Sequence, residues 1–169
     1  MPFFVPYRIA RARTGLGLFA TYPIKRGTYL LEYTGPILSA EQSAEREAKD
    51  ARYLFEVNNR WTVDGAPRSN IARYANHSHR PNMEPMIEGK RIFLKAIRNI
   101  QPGDELVYNY GRDYLSFYIP VCKCAACMQK SKGRGLSTQR KKNGKANWKA
   151  NGRAHGNNGK SNGRSNGHG

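Results

Sequence analysis

Short apolar stretches alternate with turn residues along most of this chain. The stretches are rich in β-branched and aromatic residues, and turn clusters such as Thr14-Gly15, Glu88-Gly89 and Gln101-Pro102-Gly103 separate them. The predicted strands are Tyr7–Ala12, Gly17–Ala20, Tyr29–Tyr33, Tyr53–Val57, Thr62–Asp64, Met83–Ile87, Arg91–Ala96 and Glu105–Asn109. This spacing predicts a mainly β protein built from several small sheets rather than from alternating strands and helices.

One stretch of the chain favours a helix. Ser39 begins a Ser-Ala-Glu-Gln sequence, the pattern of a capping box in which Gln42 returns a hydrogen bond to the first residue. Strong helix formers follow as far as Arg52, and few of them are apolar, which predicts a helix on the surface. A second, short helical turn is predicted at Asn70–Tyr74.

The net charge of +17 is unevenly distributed. Residues 129–169 contain eleven Lys or Arg and no Asp or Glu, which leaves a net charge of +6 for residues 1–128. The tail is rich in Gly and Asn and almost without large apolar side chains, so we expect residues 133–169 to be disordered. It either contacts nucleic acid through phosphate groups or is only a solubilising extension, and the sequence leaves both readings open.

The sequence predicts a soluble, intracellular protein. No apolar run approaches the roughly 20 residues that a membrane span requires, and the N-terminus turns basic too early for a signal peptide. All three cysteines, Cys122, Cys124 and Cys127, lie within six positions. In a reducing compartment this crowding favours metal ligands over disulfides.

Five sets of short motifs occur in the order found in one known family. They are Gly15-Leu16-Gly17, Leu31-Glu32-Tyr33-Thr34-Gly35, the pair Tyr53–Glu56 and Trp61–Asp64, Asn76-His77-Ser78 with Pro81-Asn82, and Gly103–Tyr110. Over roughly residues 7–127 the chain resembles the SET-domain protein-lysine methyltransferases. The resemblance implies a β-clip-like fold with one or two short helices and a pseudoknot, in which the closing motif passes under the Asn76–His77 segment. It also implies a SET domain at residues 1–120, a post-SET-like cysteine segment at 121–132 and the tail at 133–169.

The resemblance implies methyl transfer from S-adenosylmethionine to a lysine amine. That amine must be neutral although a free lysine has a pKa of about 10.4, and a nearby sulfonium and an apolar channel both disfavour the ammonium form. Tyrosine rings can form the walls of such a channel while their hydroxyls orient the amine. By resemblance Tyr110 is the catalytic tyrosine, Tyr53 is a channel wall, and Tyr108 limits the number of methyl groups. We therefore expect monomethylation, or mono- and dimethylation.

The resemblance also assigns residues to the cofactor and to a metal. The cofactor-binding positions are Gly15, Leu16, Gly17, Tyr33, Trp61, Arg73, Asn76, His77 and Tyr110, with His77 acting through local hydrogen bonds rather than as a base. A structural zinc would take Cys122, Cys124 and Cys127 together with His79, which stands where the family usually has a cysteine; three free thiols are the alternative. Zinc would hold the C-terminal segment over the channel, with a lid formed in part by Tyr114, Leu115, Phe117 and Tyr118.

Three functions remain open at this point. The first is an S-adenosylmethionine-dependent lysine methyltransferase, expected to be a monomer that acts on a histone or another basic protein, in the nucleus or, in a bacterium, the cytoplasm and nucleoid. The second is a zinc- and nucleic-acid-binding protein with a catalytically idle SET-like body, and the third is a scaffold that senses S-adenosylmethionine. The departures from the family pattern, Leu16, His79 and Asn109, remove no group that the chemistry requires.

Overall fold

The computed structural model describes residues 5–131, and most of their regular structure is β-strand arranged in four small sheets. The strands are β1 (Tyr7–Ala12), β2 (Gly15–Ala20), β3 (Tyr29–Tyr33), β4 (Ile37–Ser39), β5 (Leu54–Asn58), β6 (Trp61–Asp64), β7 (Asn76–His77), β8 (Met83–Glu88), β9 (Arg91–Ala96) and β10 (Val107–Tyr108). The sheets have the strand orders β1-β2, β3-β9-β8, β4-β6-β5 and β10-β7. The mainly β fold of several small sheets is confirmed, and β1, β3 and β9 have the boundaries predicted from the sequence.

Helices are short and lie between or after the strands. They are α1 (Ala40–Glu47), a 3-10 turn at Ile71–Tyr74, α2 (Arg112–Tyr118) and α3 (Ala125–Ser131). The capping box before α1 is confirmed, because the Ser39 hydroxyl accepts from the Gln42 amide at 3.3 Å and Gln42 Oε1 accepts from the Ser39 amide at 2.9 Å. The helix was predicted to run on as far as Arg52, but it ends at Glu47, and Asp50 then turns the chain with φ of +59°.

The core lies between β2, β8, β9 and the closing segment of the fold, which is residues 103–110. Its largest fully buried apolar side chains are Leu18, Met83, Ile92, Leu94, Ile100 and Leu106. Burial of each such side chain contributes about 1.5–3 kcal/mol. Leu106 comes from the closing segment, so the core itself fixes the stretch that carries Tyr108 and Tyr110.

The closing segment changes partners along its length. Glu105 pairs with Phe19, and the Leu106 amide donates to Leu18 O at 2.8 Å. Only Val107–Tyr108 then pairs with β7, in parallel, so the strand predicted at Glu105–Asn109 is shorter than expected. This pairing lays the closing segment beside Asn76 and His77, as the resemblance implied.

The remaining sequence expectations concern the tail and the membrane. The predicted disorder of residues 133–169 lies outside the described residues. Within residues 5–131, no helix is long and apolar enough to cross a membrane.

Candidate active site

The first residues of β2 (Gly15–Gly17), Asn76 and Glu105 meet at one place. The Asn76 side-chain amide donates to Leu16 O at 3.1 Å and to Glu105 Oε1 at 2.8 Å. A Cβ on Gly17 would lie only 2.8 Å from Glu105 Oε1 and 2.9 Å from Asn76 Nδ2, so glycine is required for this close approach. Both amide protons of Asn76 are therefore used within the protein, and Asn76 Oδ1 remains as an acceptor. The Leu16 side chain is 54% exposed, so Leu16 takes part through its backbone.

Four tyrosines predicted for the site form a connected cluster. The Tyr33 hydroxyl donates to Tyr53 O at 3.0 Å, and Phe55 stands between the rings of Tyr33 and Tyr108, at centroid distances of 5.4 and 6.4 Å. The rings of Tyr108 and Tyr110 are 4.7 Å apart, and the Tyr110 hydroxyl donates to Ala75 O at 2.7 Å. The fold thus gathers residues from β3, β5, β10 and the segment after β10 into one aromatic cluster.

The hydroxyls of Tyr33, Tyr108 and Tyr110 keep their protons at neutral pH. Burial raises the pKa of Tyr33, Tyr108 and Tyr110, and the neighbouring tyrosines raise each pKa further. These groups can therefore donate and accept hydrogen bonds, but they are poor general bases.

Arg73 lies behind the predicted channel wall. Its guanidinium carbon is 4.2 Å from the centroid of the Tyr53 ring, and its Nη1 donates to Ala66 O. The Nε atom of Arg73 is buried and has no hydrogen-bond partner among the described residues. A fixed positive charge thus stands against one face of Tyr53, whose ring is partly open to solvent.

His77 links the closing segment to the cysteine cluster. Its Nδ1 accepts from the Tyr110 amide at 3.3 Å, and its Nε2 lies 3.1 Å from His79 Nδ1. Burial, followed by the nearby charge of His79, lowers the pKa of His77 to about 4, so its imidazole is neutral at neutral pH. The geometry is that of a hydrogen-bonded structural histidine.

The three cysteines converge on His79. His79 Nδ1 lies 3.7, 3.5 and 3.3 Å from the sulfurs of Cys122, Cys124 and Cys127. A tetrahedral zinc with one Zn–N bond of about 2.0–2.1 Å and Zn–S bonds of about 2.3 Å separates N from S by about 3.5 Å. The donor set therefore fits zinc, and the ligand atom of His77 lies close enough to be a fifth candidate, because those of His77, His79, Cys122 and Cys124 all lie within 4.8 Å of one another.

One predicted cofactor residue stands apart from the others. Trp61 begins β6 at the turn end of the β5–β6 hairpin, whereas Tyr53 precedes the opposite end. Its ring packs under the Lys90 ammonium, 3.7 Å from the centroid. Strand pairing therefore holds Trp61 at the opposite end of its hairpin from Tyr53.

Two residues that support the site were not assigned a role from the sequence. The buried Asn82 side chain donates to Glu105 O and accepts from the Val107 amide, both at 2.8 Å. The carboxylate of Glu105 holds Asn76. Both residues stood within recognised motifs, and the signal that could have identified Asn82 is a polar side chain immediately after a proline beside a predicted buried strand.

The SET domain family model matches residues 15–111 of the chain. Among curated proteins, the chain is 32% identical over 137 residues to the Caenorhabditis elegans histone-lysine N-methyltransferase mes-4, covering 68% of the chain and 15% of that protein. It is 38% identical over 121 residues to the Schizosaccharomyces pombe histone-lysine N-methyltransferase, H3 lysine-4 specific, covering 66% of the chain and 13% of that protein. The chain thus spans less than a fifth of the length of these relatives.

Solved structures give the same result. A structure of ctPRC2, the Chaetomium thermophilum Polycomb Repressive Complex 2, in an autoinhibited conformation bound to S-adenosylmethionine matches with a TM-score of 0.56 and 32% identity. The match covers 62% of this chain and 15% of that one. With its small sheets, its paired β7 and β10 and a family match over most of its described length, this chain belongs to the SET-domain family.

Proposed function

We propose that this protein is an S-adenosylmethionine-dependent protein-lysine N-methyltransferase. The observation that carries the proposal is the convergence of Tyr53, Tyr108 and Tyr110 beside the Gly17–Asn76 contact. It places an aromatic channel next to the backbone of Gly15–Gly17 and the Asn76 side chain, which together are called the cradle below. Relatives named histone-lysine N-methyltransferases and a similar structure bound to S-adenosylmethionine support the same activity.

The cradle suits S-adenosylmethionine, which when bound supplies a methyl group on a sulfonium. The close approach at Gly17 leaves no space for a side chain between β2 and Asn76, and we expect the backbone at the start of β2 to contact this molecule. The remaining acceptor, Asn76 Oδ1, suits the amino group of that molecule because it can accept a hydrogen bond from a cation. We assign Gly15, Gly17, Asn76, His77 and Tyr110 to its binding.

The tyrosine cluster suits a neutral lysine amine. A buried aromatic lining and the Arg73 charge behind Tyr53 both disfavour an ammonium group, so the amine enters with a free lone pair. The Tyr110 hydroxyl already donates to Ala75 O, which leaves its oxygen free to accept a hydrogen bond from that amine and align it. The nitrogen forms a bond to the methyl carbon as the carbon–sulfur bond breaks, and the product later loses a proton to water.

Replacing Tyr110 by Phe tests this proposal. With core histones as acceptor and a labelled methyl donor, we expect turnover to fall at least about a hundredfold, the usual effect of losing one aligned hydrogen-bonding group. Cofactor affinity, measured by calorimetry, should change less than about twofold, because the variant keeps the Tyr110 ring and the backbone contacts and loses only the hydroxyl, which donates to Ala75 O. Tyr29→Phe, which removes the hydroxyl of a tyrosine that is 46% exposed, is the control. Unchanged turnover in Tyr110→Phe would contradict the assignment, and binding without transfer by the unmodified protein would favour the idle-body function.

We propose that Tyr108 restricts the product to mono-, or mono- and dimethyl-lysine. It is 7% exposed and packs against Tyr110, so its hydroxyl occupies space beside the expected amine position. Mass spectrometry of the products should show higher methylation states for Tyr108→Phe than for the unmodified protein. Mainly trimethylated product from the unmodified protein would refute this role.

We also propose that His79, Cys122, Cys124 and Cys127 hold one structural zinc ion. Four ligands leave no open position, so the metal would fasten the segment after α2 rather than take part in the chemistry. Purified protein should contain about one zinc per chain, and His79→Ala should lose it, whereas the exposed neighbour Arg80→Ala should keep it. Pure, folded protein without zinc would end this proposal.

The substrate that we propose is a histone or another basic protein. The relatives' names support a histone, and α1 with the start of β5 forms a locally acidic segment, with five Asp or Glu against three Lys or Arg in residues 41–56. This segment contains Tyr53 and could favour basic peptides near the channel. Such a substrate would place the protein at chromatin in a eukaryote or at the nucleoid in a bacterium. Methyl labelling of whole-cell extract followed by site mapping tests the substrate class.

A further inference from the structure

Helix α2 is attached to the rest of the protein mainly through two tyrosine side chains. None of its residues is buried, and Phe117 on its outer side is 68% exposed. Among the described residues, its backbone hydrogen bonds stay within the helix and its ends. Such a helix is held by few contacts, and local opening should therefore require little free energy.

The two tyrosines bind consecutive carbonyl groups of a distant segment. The Tyr114 hydroxyl donates to Arg52 O at 2.7 Å, and the Tyr118 hydroxyl donates to Ala51 O at 3.1 Å. Tyr114 and Tyr118 are four residues apart, so both side chains lie on one face of α2. Burial raises the pKa of Tyr114 to about 12, which keeps this hydroxyl a donor at neutral pH.

Both ends of this connection touch the proposed channel. Arg52 immediately precedes Tyr53, the proposed channel wall. On the other side, the Tyr114 ring packs edge-on against Tyr110, with centroids 5.2 Å apart. The same tyrosine thus contacts the proposed catalytic residue with its ring and the backbone next to the channel wall with its hydroxyl.

We propose that Tyr114 and Tyr118 are positioning residues that hold α2 closed over the lysine channel and fix Tyr53 relative to Tyr110. This inference rests on the proposed methyltransferase function. When the closed state is only partly populated, the apparent affinity for a peptide falls by the fraction that remains closed. The cofactor residues on β2 and β7 are not part of this connection, and Phe at position 114 keeps the ring that packs against Tyr110, so cofactor affinity should not depend on the two hydroxyls.

The test compares the full-length double variant Tyr114→Phe/Tyr118→Phe with Ser116→Ala. Ser116 is the matched control because its hydroxyl bonds to Asp113 O within α2 at 2.8 Å and does not reach residues 51–52. Hydrogen–deuterium exchange should become faster in both segments, residues 112–118 and residues 51–54, in the double variant alone. The Michaelis constant for core histones should rise about tenfold, as expected from the loss of two hydrogen bonds of ordinary strength, while the cofactor dissociation constant changes less than about twofold.

The two measurements separate this inference from the proposed function. Unchanged hydrogen–deuterium exchange in the double variant would show that Tyr114 and Tyr118 do not hold α2 closed, whether or not the protein transfers methyl groups. Faster exchange with an unchanged Michaelis constant would overturn its role in positioning the channel. If the unmodified protein transfers no methyl group, the proposed function fails, and exchange at residues 51–54 alone decides whether the two tyrosines hold the helix.

Discussion

Asn82 is the residue whose replacement should destabilise the closing segment most directly. Its side chain is 2% exposed and bridges Glu105 O and the Val107 amide, so Asn82→Ala removes both hydrogen bonds at once. A partly buried donor or acceptor left without a partner costs about 1–3 kcal/mol. The two groups together predict a loss of about 2–6 kcal/mol, a large part of the roughly 5–15 kcal/mol by which a domain is stable.

Urea unfolding of the full chain measures this loss, with Asn58→Ala as control. Asn58 also makes two hydrogen bonds, because its Oδ1 accepts from the amides of Arg60 and Trp61 at 2.9 and 3.2 Å. That turn is exposed, so water can replace both bonds, and we expect a loss below about 1 kcal/mol. The dependence on urea should keep the same slope in both variants. Equal losses in the two variants would refute the reasoning, because they would show that burial of the Asn82 bonds adds nothing.

Three further substitutions test separate parts of the structure. Gly17→Ala should weaken cofactor binding at least about tenfold by calorimetry, since the new methyl group would push Asn76 and Glu105 apart; unchanged binding would exclude the cradle. Ser39→Ala removes the capping box of α1 and should lower the free energy of unfolding by about 1 kcal/mol in urea, with turnover unchanged. Gly111→Ala forces a side chain at φ of +90° and should cost about 1–3 kcal/mol of stability, although no atom blocks the added carbon; a stability equal to the unmodified protein would show that the turn before α2 is not strained.

The longer strands could be predicted because each carries its own signal. β1, β3 and β9 span five or six residues and are bounded by turn residues, so their composition and the flanking turn residues identify their limits. β7 and β10 each contain two residues and exist only because they pair with each other across thirty positions of the chain. A local sequence pattern does not indicate which distant segments pair, so only the family resemblance indicated this pairing.

The helix ends seen in the structure correspond to tertiary contacts more than to the helix propensity of the local sequence. Helix formers continue beyond Glu47, but the chain turns at Asp50 so that the backbone of residues 51–52 can meet α2. α2 itself was expected only as part of a lid, because seven residues with four large apolar or aromatic side chains give no distinctive helical period. The hydroxyls of Tyr114 and Tyr118 donate to Arg52 O and Ala51 O, and no local pattern indicates contacts with so distant a part of the chain.

Among the site residues too, some have a local sequence signal and others are placed by contacts with distant parts of the chain. Tyr108 and Tyr110 could be grouped from the sequence because aromatic residues in alternation are expected on one side of an extended segment, and the family resemblance supplies the roles proposed for them. Their rings are indeed 4.7 Å apart, although the strand ends at Tyr108. Trp61 lies at the turn end of its hairpin, away from Tyr53, and an aromatic residue in the family's motif order carries no information about which end of a hairpin it occupies. The contact of Arg73 with Tyr53 joins residues twenty positions apart, and nothing in either local sequence indicates it.

The closing segment explains why stability and activity should be difficult to separate in this protein. Within six residues, Glu105 holds the cofactor-side Asn76, Leu106 fills the core, Val107 binds Asn82, and Tyr108 and Tyr110 line the proposed channel. Successive residues therefore serve the cradle, the core and the channel in turn, and a shift along this segment displaces all three together. A substitution such as Asn82→Ala, which touches no reacting atom, should for this reason lower turnover at temperatures where the protein is still folded.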